Sequence, residues 1–152
     1  MGESTDIERC GVGIRGMAMV ADSFVWFVLF LVTTMAVGAA TGQLETTANG
    51  VQADLEGPPA MAAFALFSAL GVGYHALLEW KYGKTAGKYL VGIEATAADG
   101  SPLTLRESLV RNVLRLVDFL PMFYVVGIVA VVLSEENQRV GDRVADTAVV
   151  RR

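Results

Sequence analysis

Residues 21–32 read Ala21-Asp22-Ser23-Phe24-Val25-Trp26-Phe27-Val28-Leu29-Phe30-Leu31-Val32, an apolar run opened by one carboxylate. No charged residue follows from Ser23 to Leu44. Crossing ~30 Å of hydrocarbon takes about 20 helical residues at ~1.5 Å each, so the run is long enough to span a bilayer. An acid beside it is expensive, about 2.5–3.5 kcal/mol at a helix centre. Arg15 stands seven positions before Asp22, a spacing that puts both on one helix face. The first inference is a membrane helix with a paired, buried charge.

The pattern recurs along the chain. Gly57–Leu78 carries no formal charge, with His75 its one group that titrates near neutrality, and Phe119–Ser134 is uncharged but shorter. At 152 residues and 53% hydrophobic content, the chain is too apolar for an ordinary soluble domain and short for several domains. The fold class expected is an all-α membrane protein forming a single domain over 1–152. It has transmembrane helices at 16–41 and 60–81, an acidic loop at 42–59, and a short β-like ribbon at 82–104. An amphipathic helix with the third apolar segment follows at 105–134, then a tail at 135–152. The first run is too long for the apolar core of a cleaved signal peptide. Cys10 stands alone, which removes disulfide frameworks and metal clusters and leaves an inert thiol.

Basic residues orient the chain. Arg9 and Arg15 precede the first helix, the 42–59 loop has acids but no Lys or Arg, and Lys81, Lys84, Lys88, Arg106, Arg111 and Arg115 follow the second. The positive-inside rule puts the amino terminus and the segment after Lys81 in the cytoplasm and the acidic loop outside, in a multi-pass plasma-membrane protein. The third segment has two readings. A single span would leave Arg139, Arg143, Arg151 and Arg152 outside, against the rule. Pro121 offers a helical hairpin broken at that point, which returns the tail to the cytoplasm and is preferred. In the ribbon, Tyr89–Thr96 reads as extended, Asp99-Gly100 as a tight turn, and Leu103-Thr104-Leu105 as a return strand weakened by Pro102. Thr104 with Glu107 forms a capping box for the amphipathic helix. Gly141-Asp142 reads as a turn or cap holding the tail.

Three polar stripes fall at helical spacing: Arg15 with Asp22; His75 with Glu79, continued by Ser68 and Gly71; and Arg111, Arg115 and Asp118. Packed together, their carboxylates would meet guanidinium forks and none would face lipid, with Ala69, Gly71 and Gly73 allowing close helix approach. A desolvated carboxylate or His75 can relay protons. The alternative is that Arg15–Asp22 and Arg115–Asp118 are static pairs that fix helix register. Gly83-Lys84-Thr85 lacks the first glycine of a phosphate loop, Leu78 standing in its place, and a preceding strand. Its cations, Lys84 and Lys88, read instead as a turn meeting lipid phosphates. No nucleophile triad, zinc spacing or dinucleotide fingerprint is present, so a non-enzyme without cofactor and without a nucleic-acid partner is expected. Sixteen acids against twelve basic residues give a net charge of −4, an acidic surface that suits a high-salt setting.

Several pieces, in order, resemble the RDD family of small membrane proteins, named for one arginine and two aspartates. They are Ile14-Arg15 with Ala21-Asp22, Gly83-Lys84-Thr85-Ala86-Gly87-Lys88, Asp99-Gly100-Ser101-Pro102-Leu103-Thr104, Arg111-Asn112-Val113-Leu114-Arg115, and Gln138-Arg139-Val140-Gly141-Asp142 with Ala145-Asp146-Thr147. The resemblance assigns the arginine to Arg15, the first aspartate to Asp22, and the second to Asp142 or its rival Asp118. Asp146 stands where the family's tail motif usually has Gly. The resemblance implies a transport role, with cation/proton antiport suggested for some members. The expected function is thus a small transporter exchanging a monovalent cation for protons through a buried Arg/Asp cluster. It would act as a homo-oligomer, because two spans and a hairpin enclose too little volume alone. The alternative is a non-transporting membrane scaffold.

Overall fold

The computed structural model describes residues 9–118 and 140–151. In chain order the elements are α1 (Val12–Thr41), β1 (Leu44–Thr47), β2 (Gly50–Ala53), α2 (Gly57–Tyr82), α3 (Ala86–Val91), β3 (Ile93–Ala97), α4 (Leu105–Asp118), α5 (Val140–Val144) and β4 (Thr147–Arg151). The architecture is mostly helical, with two long apolar helices and two small two-stranded sheets. α1 and α2 are long and apolar enough to cross a membrane, and only 11% and 22% of their most apolar stretches are buried. A core helix of a soluble domain would be buried over most of its length; these present Phe24, Phe27, Phe30, Met61 and Phe64 outward. The path of the third apolar run, and with it the choice between single span and broken hairpin at Pro121, lies outside the described residues.

The chain divides into two compact units, Ser23–Gly71 and Met1–Asp22 with Val72–Arg152. In the first, Trp26 and Phe30 meet Phe67 edge-to-face at centroid distances of 5.2 and 6.0 Å. Of the small residues expected to admit a neighbour, Gly71 does so, because the Trp26 ring lies where a Cβ would stand. Nothing lies within 4 Å of a Cβ on Gly73, and Ala69 is exposed. The acidic loop contains the antiparallel hairpin β1–β2, in register from Leu44↔Ala53 to Thr47↔Gly50. Its two-residue turn, Ala48-Asn49, precedes Gly50 at φ 126°.

In the second unit, β3 pairs antiparallel with β4, from Ile93↔Arg151 to Ala97↔Thr147. This corrects the expected return strand at Leu103-Thr104-Leu105. Pro102 has no N–H to donate, whereas Thr147-Ala148-Val149-Val150 is wholly buried and three of its four residues are β-branched. The Asp99-Gly100 turn forms, with Asp99 accepting from Ser101 N at 2.9 Å. Arg9 bridges to Val150, and Cys10 N donates to Val149 O at 2.8 Å, so these two residues lie along the same sheet. The apolar cluster beneath is small: Cys10, Ala18, Ile93 and Val149, flanked by Ile14 and Val91.

The stretch expected to be extended from Tyr89 begins instead as helix α3. Thr85 caps its start and Gly92 ends it in the left-handed conformation at φ 69°, so the strand starts only at Ile93. The capping box of α4 forms as expected: Glu107 Oε2 accepts from Thr104 N at 2.8 Å, and Thr104 Oγ1 from Glu107 N at 3.3 Å. Gly141-Asp142 is part of a short helix, α5, rather than a bare turn. A Cβ on Gly141 would come within 2.9 Å of Arg111 O, so glycine lets α5 lie against α4. Asp146 adopts φ 52°, making with aspartate the left-handed turn for which Gly is the usual choice.

A buried charge cluster as the candidate functional site

Glu79 is the hub of the cluster, fully buried in the last turns of α2. An isolated buried carboxylate costs several kcal/mol, of order 3–5 when a partner is removed. Here Oε1 takes the Lys88 ammonium directly, with Arg115 Nη2 at 3.8 Å. Oε2 takes Arg111 Nε at 3.3 Å and Asn112 Nδ2 at 2.9 Å. Arg111 also reaches Asp142 through Nη2 at 2.9 Å, and Asp142 Oδ2 pairs with Arg15. Arg111 thus joins two carboxylates, one on α2 and one on α5, through different nitrogens of its guanidinium. Arg115 Nη1 lies 3.0 Å from Nδ1 and 3.1 Å from Nε2 of His75.

Asp22 accepts hydrogen bonds from Thr85 Oγ1 at 2.6 Å, Gly87 N at 2.8 Å and Tyr74 OH at 3.1 Å. Tyr74 OH in turn accepts from Ala86 N at 3.1 Å. The first turn of α3 therefore wraps the Asp22 carboxylate. Only glycine fits at position 87, where an added Cβ would strike the Ala18 carbonyl and lie 2.8 Å from Asp22 Cγ.

The expected Arg15–Asp22 pair is therefore corrected. Seven residues separate the two by about 10.5 Å along the axis, so a shared face does not bring their charges together. Arg15 goes to Asp142 and Asp22 to α3. Lys88 is also corrected: it is 6% exposed and paired with Glu79 rather than meeting lipid phosphates, while Lys84 lies 3.6 Å from Glu94. His75 and Glu79 share Arg115 rather than each other. Of the two candidates for the family's second aspartate, Asp142 takes both Arg15 and Arg111; the side chain of Asp118 lies outside the described residues. Sequence reasoning missed Lys88, Tyr74, Thr85, Gly87 and Asn112 as members. Thr85 had a signal, an N-cap residue just after Gly83, but nothing in linear spacing points α3 at α1.

Burial pushes the Lys88 ammonium down from its ordinary 10.5 to about 7; Glu79 opposes this, and Arg111 and Arg115 add to it. A cavity of about 10 Å3 borders the cluster, lined by the charged Arg15, Asp22, Lys88, Arg111 and Arg115 and by the apolar Ala18, Met19, Ile93 and Val149. Among the described residues Arg111 Nη1 and Asn112 Oδ1 are buried without a hydrogen-bond partner. Also among them, no group of three or more His, Cys, Asp or Glu side chains is placed to hold a metal ion.

The RDD family model matches residues 9–146 of the chain. No curated protein and no solved structure matches it.

Proposed function

The chain belongs to the RDD family, and from that premise we propose that it is a multi-pass plasma-membrane protein whose buried charge cluster handles protons in ion transport. Membrane insertion is supported by α1 and α2, whose outward faces carry large apolar side chains that water would not tolerate over such lengths. The amino terminus lies on the cytoplasmic side in this reading. β3 and β4 are hydrogen-bonded and Arg9 bridges to Val150, so the amino-terminal end, the ribbon and the tail share that side.

The observation that carries the transport reading is the Lys88–Glu79 pair beside Asp22: a buried ammonium on the same water-sized cavity as a buried carboxylate. Arginine keeps its proton at all relevant pH values, so Lys88 is the cation of the cluster able to change charge. The cluster serves the proton side of an exchange with a monovalent cation. The protein acts without cofactor, as a homo-oligomer in lipid, and is not an enzyme. The test is a proteoliposome assay with an internal pH dye under imposed ion gradients. Wild type is expected to give an ion-dependent pH change that Asp22→Asn abolishes while the protein remains folded; undiminished flux in that variant would overturn the assignment.

A scaffold reading is favoured by a different observation. Glu79 and Asp142 are each held by at least two cations and Asp22 by three donors, which suits a network built to stay still. It predicts no flux in wild type at all, with Asp22→Asn impairing only stability and assembly.

A further inference from the structure

We propose that the groove between the end of α2 and helix α3 binds one phospholipid of the cytoplasmic leaflet. Its phosphate meets Lys84, and the start of an acyl chain lies along Leu78, Tyr82, Tyr89 and Leu90. This goes beyond the transport reading and rests only on the membrane part of the proposed function.

The groove is open and holds about 700 Å3, within the roughly 300–1,000 Å3 typical of sites for small molecules. Leu78, Tyr82, Ala86, Tyr89 and Leu90 make it mainly apolar, and Lys84 and Glu94 are its two charged residues. Three observations say what covers it. First, α3 is inside out for a helix bathed in water. Lys88, Gly87 and the cap residue Thr85 are buried against Glu79 and Asp22, whereas Tyr89 and Leu90 are each 75% exposed. A surface helix in water has the opposite arrangement, so the medium over this face is apolar. Second, the patch continues from the last turns of α2, where Leu77, Trp80 and Tyr82 are exposed as well. Tyr and Trp collect where a membrane helix leaves hydrocarbon, because the ring is apolar and the hydroxyl or indole N–H can meet water.

Third, the cations stand at the same level. Lys81 Nζ lies 5.3 Å from the centre of the Tyr82 ring, and Lys84 Nζ lies 3.6 Å from Glu94 Oε2. An ammonium has three donors, so Lys84 can keep Glu94 and still donate to a phosphate. Basic residues just cytoplasmic of a span meet lipid phosphates in this way. A phospholipid matches both parts of the groove, chain against the apolar wall and phosphate at the lysine. Thr85 and Ala86 line the groove and also hold the Asp22 carboxylate and the Tyr74 hydroxyl. A bound lipid therefore backs the turn that wraps Asp22.

Two measurements on the full-length protein test this. In a Cys10→Ser background, a spin label is placed at Leu90→Cys, in vesicles of phosphatidylcholine and phosphatidylglycerol. Leu70→Cys is the mid-span reference and Asp99→Cys the aqueous one. Position 90 should collide with dissolved oxygen and exclude a nickel chelate, as position 70 does, while position 99 does the reverse. A water-like signal at 90 beside a lipid-like one at 70 would overturn the lipid site and leave the membrane reading standing. Water-like signals at both would overturn the membrane reading and the site with it. Exclusion of both reagents at 90, with spin–spin broadening, would mean that a second copy covers the groove, which also overturns the lipid. The second measurement follows retention of dioleoyl phosphatidylglycerol by native mass spectrometry. Lys84→Gln should weaken binding about fivefold, the worth of one lysine near a phosphate, and Lys84→Arg should restore it. Glycerol phosphate, which has the phosphate without the chains, should not displace the lipid. Equal retention by wild type and Lys84→Gln would overturn the phosphate contact; displacement by glycerol phosphate would make the ligand a soluble ester and overturn the lipid.

Discussion

Replacing Gly87 by alanine tests the contact between α3 and α1 directly. The new methyl would strike the Ala18 carbonyl, which belongs to helix backbone and cannot rotate away, and would stand 2.8 Å from Asp22 Cγ and 3.0 Å from Ala18 C. Overpacking of this kind costs about 1–3 kcal/mol. Moving α3 outward to relieve it also stretches the Gly87 N–H bond to Asp22, now 2.8 Å, and a hydrogen bond to a charged group contributes about 1.5–3 kcal/mol. Helix propensity returns at most about 1 kcal/mol. The net expectation is a loss of roughly 2–4 kcal/mol. Gly16→Ala, in α1 itself, is the internal control: no atom lies within 4 Å of its Cβ, so the same substitution should be neutral or stabilise by up to about 1 kcal/mol. The assay is reversible denaturation in mixed micelles, followed by tryptophan fluorescence. If Gly87→Ala proves as stable as Gly16→Ala, the packing of α3 onto Asp22 is wrong.

Two further perturbations probe other parts of the cluster. Asp142→Asn strips the shared carboxylate from Arg15 and Arg111 and should destabilise by about 3–5 kcal/mol in the same assay; a loss below ~1 kcal/mol would show that the tail does not anchor α1 and α4. In a background carrying Cys10→Ser, single cysteines introduced by Asp99→Cys and Arg151→Cys should react with an impermeant thiol reagent from one side of the membrane, and Asn49→Cys from the other. Labelling of positions 99 and 151 from opposite sides would contradict the β3–β4 pairing.

Much of this was legible because it is local. Two uncharged runs of sufficient length define α1 and α2 without any tertiary information, and Thr104 with Glu107 announces the start of α4. The residue types that enter the cluster were legible too, since Arg15, Asp22, His75, Glu79, Arg111 and Arg115 stand out as polar groups near hydrocarbon and the family resemblance singles out Asp142. Their pairing was not. Helical periodicity reports which side chains share a face, and it says nothing about a partner from another element. Arg15 and Asp142 are 127 residues apart, and Asp22 and Thr85 are 63 apart. The pairing of β3 with β4 was hidden for the same reason. A nearer segment ending in Thr104-Leu105 competed for the role, and only Pro102 spoke against it.

The balance of buried groups explains why pairing matters so much here. The apolar cluster of the site-bearing unit has few members, Cys10, Ala18, Ile93 and Val149, and after Ile93 the largest side chains fully removed from solvent are His75, Glu79 and Asn112. Hydrophobic burial among so few atoms cannot by itself choose one arrangement of α1, α3, α4, α5 and the sheet. The charged network can, because each carboxylate is shared between elements and leaving any one unpaired is heavily penalised. Arg111 ties α2 to α5, Asp142 ties α5 to α1, and Asp22 ties α1 to α3. A cluster wired in this way cannot exchange partners freely during a transport cycle without losing the fold. Change must therefore enter through a group that can alter its charge while the other bridges between elements survive. Arginine cannot lose its proton, and each carboxylate is a bridge. Lys88 satisfies the condition: after deprotonation Glu79 still holds Arg111, Arg115 and Asn112, and the ties among α1, α2, α4 and α5 remain.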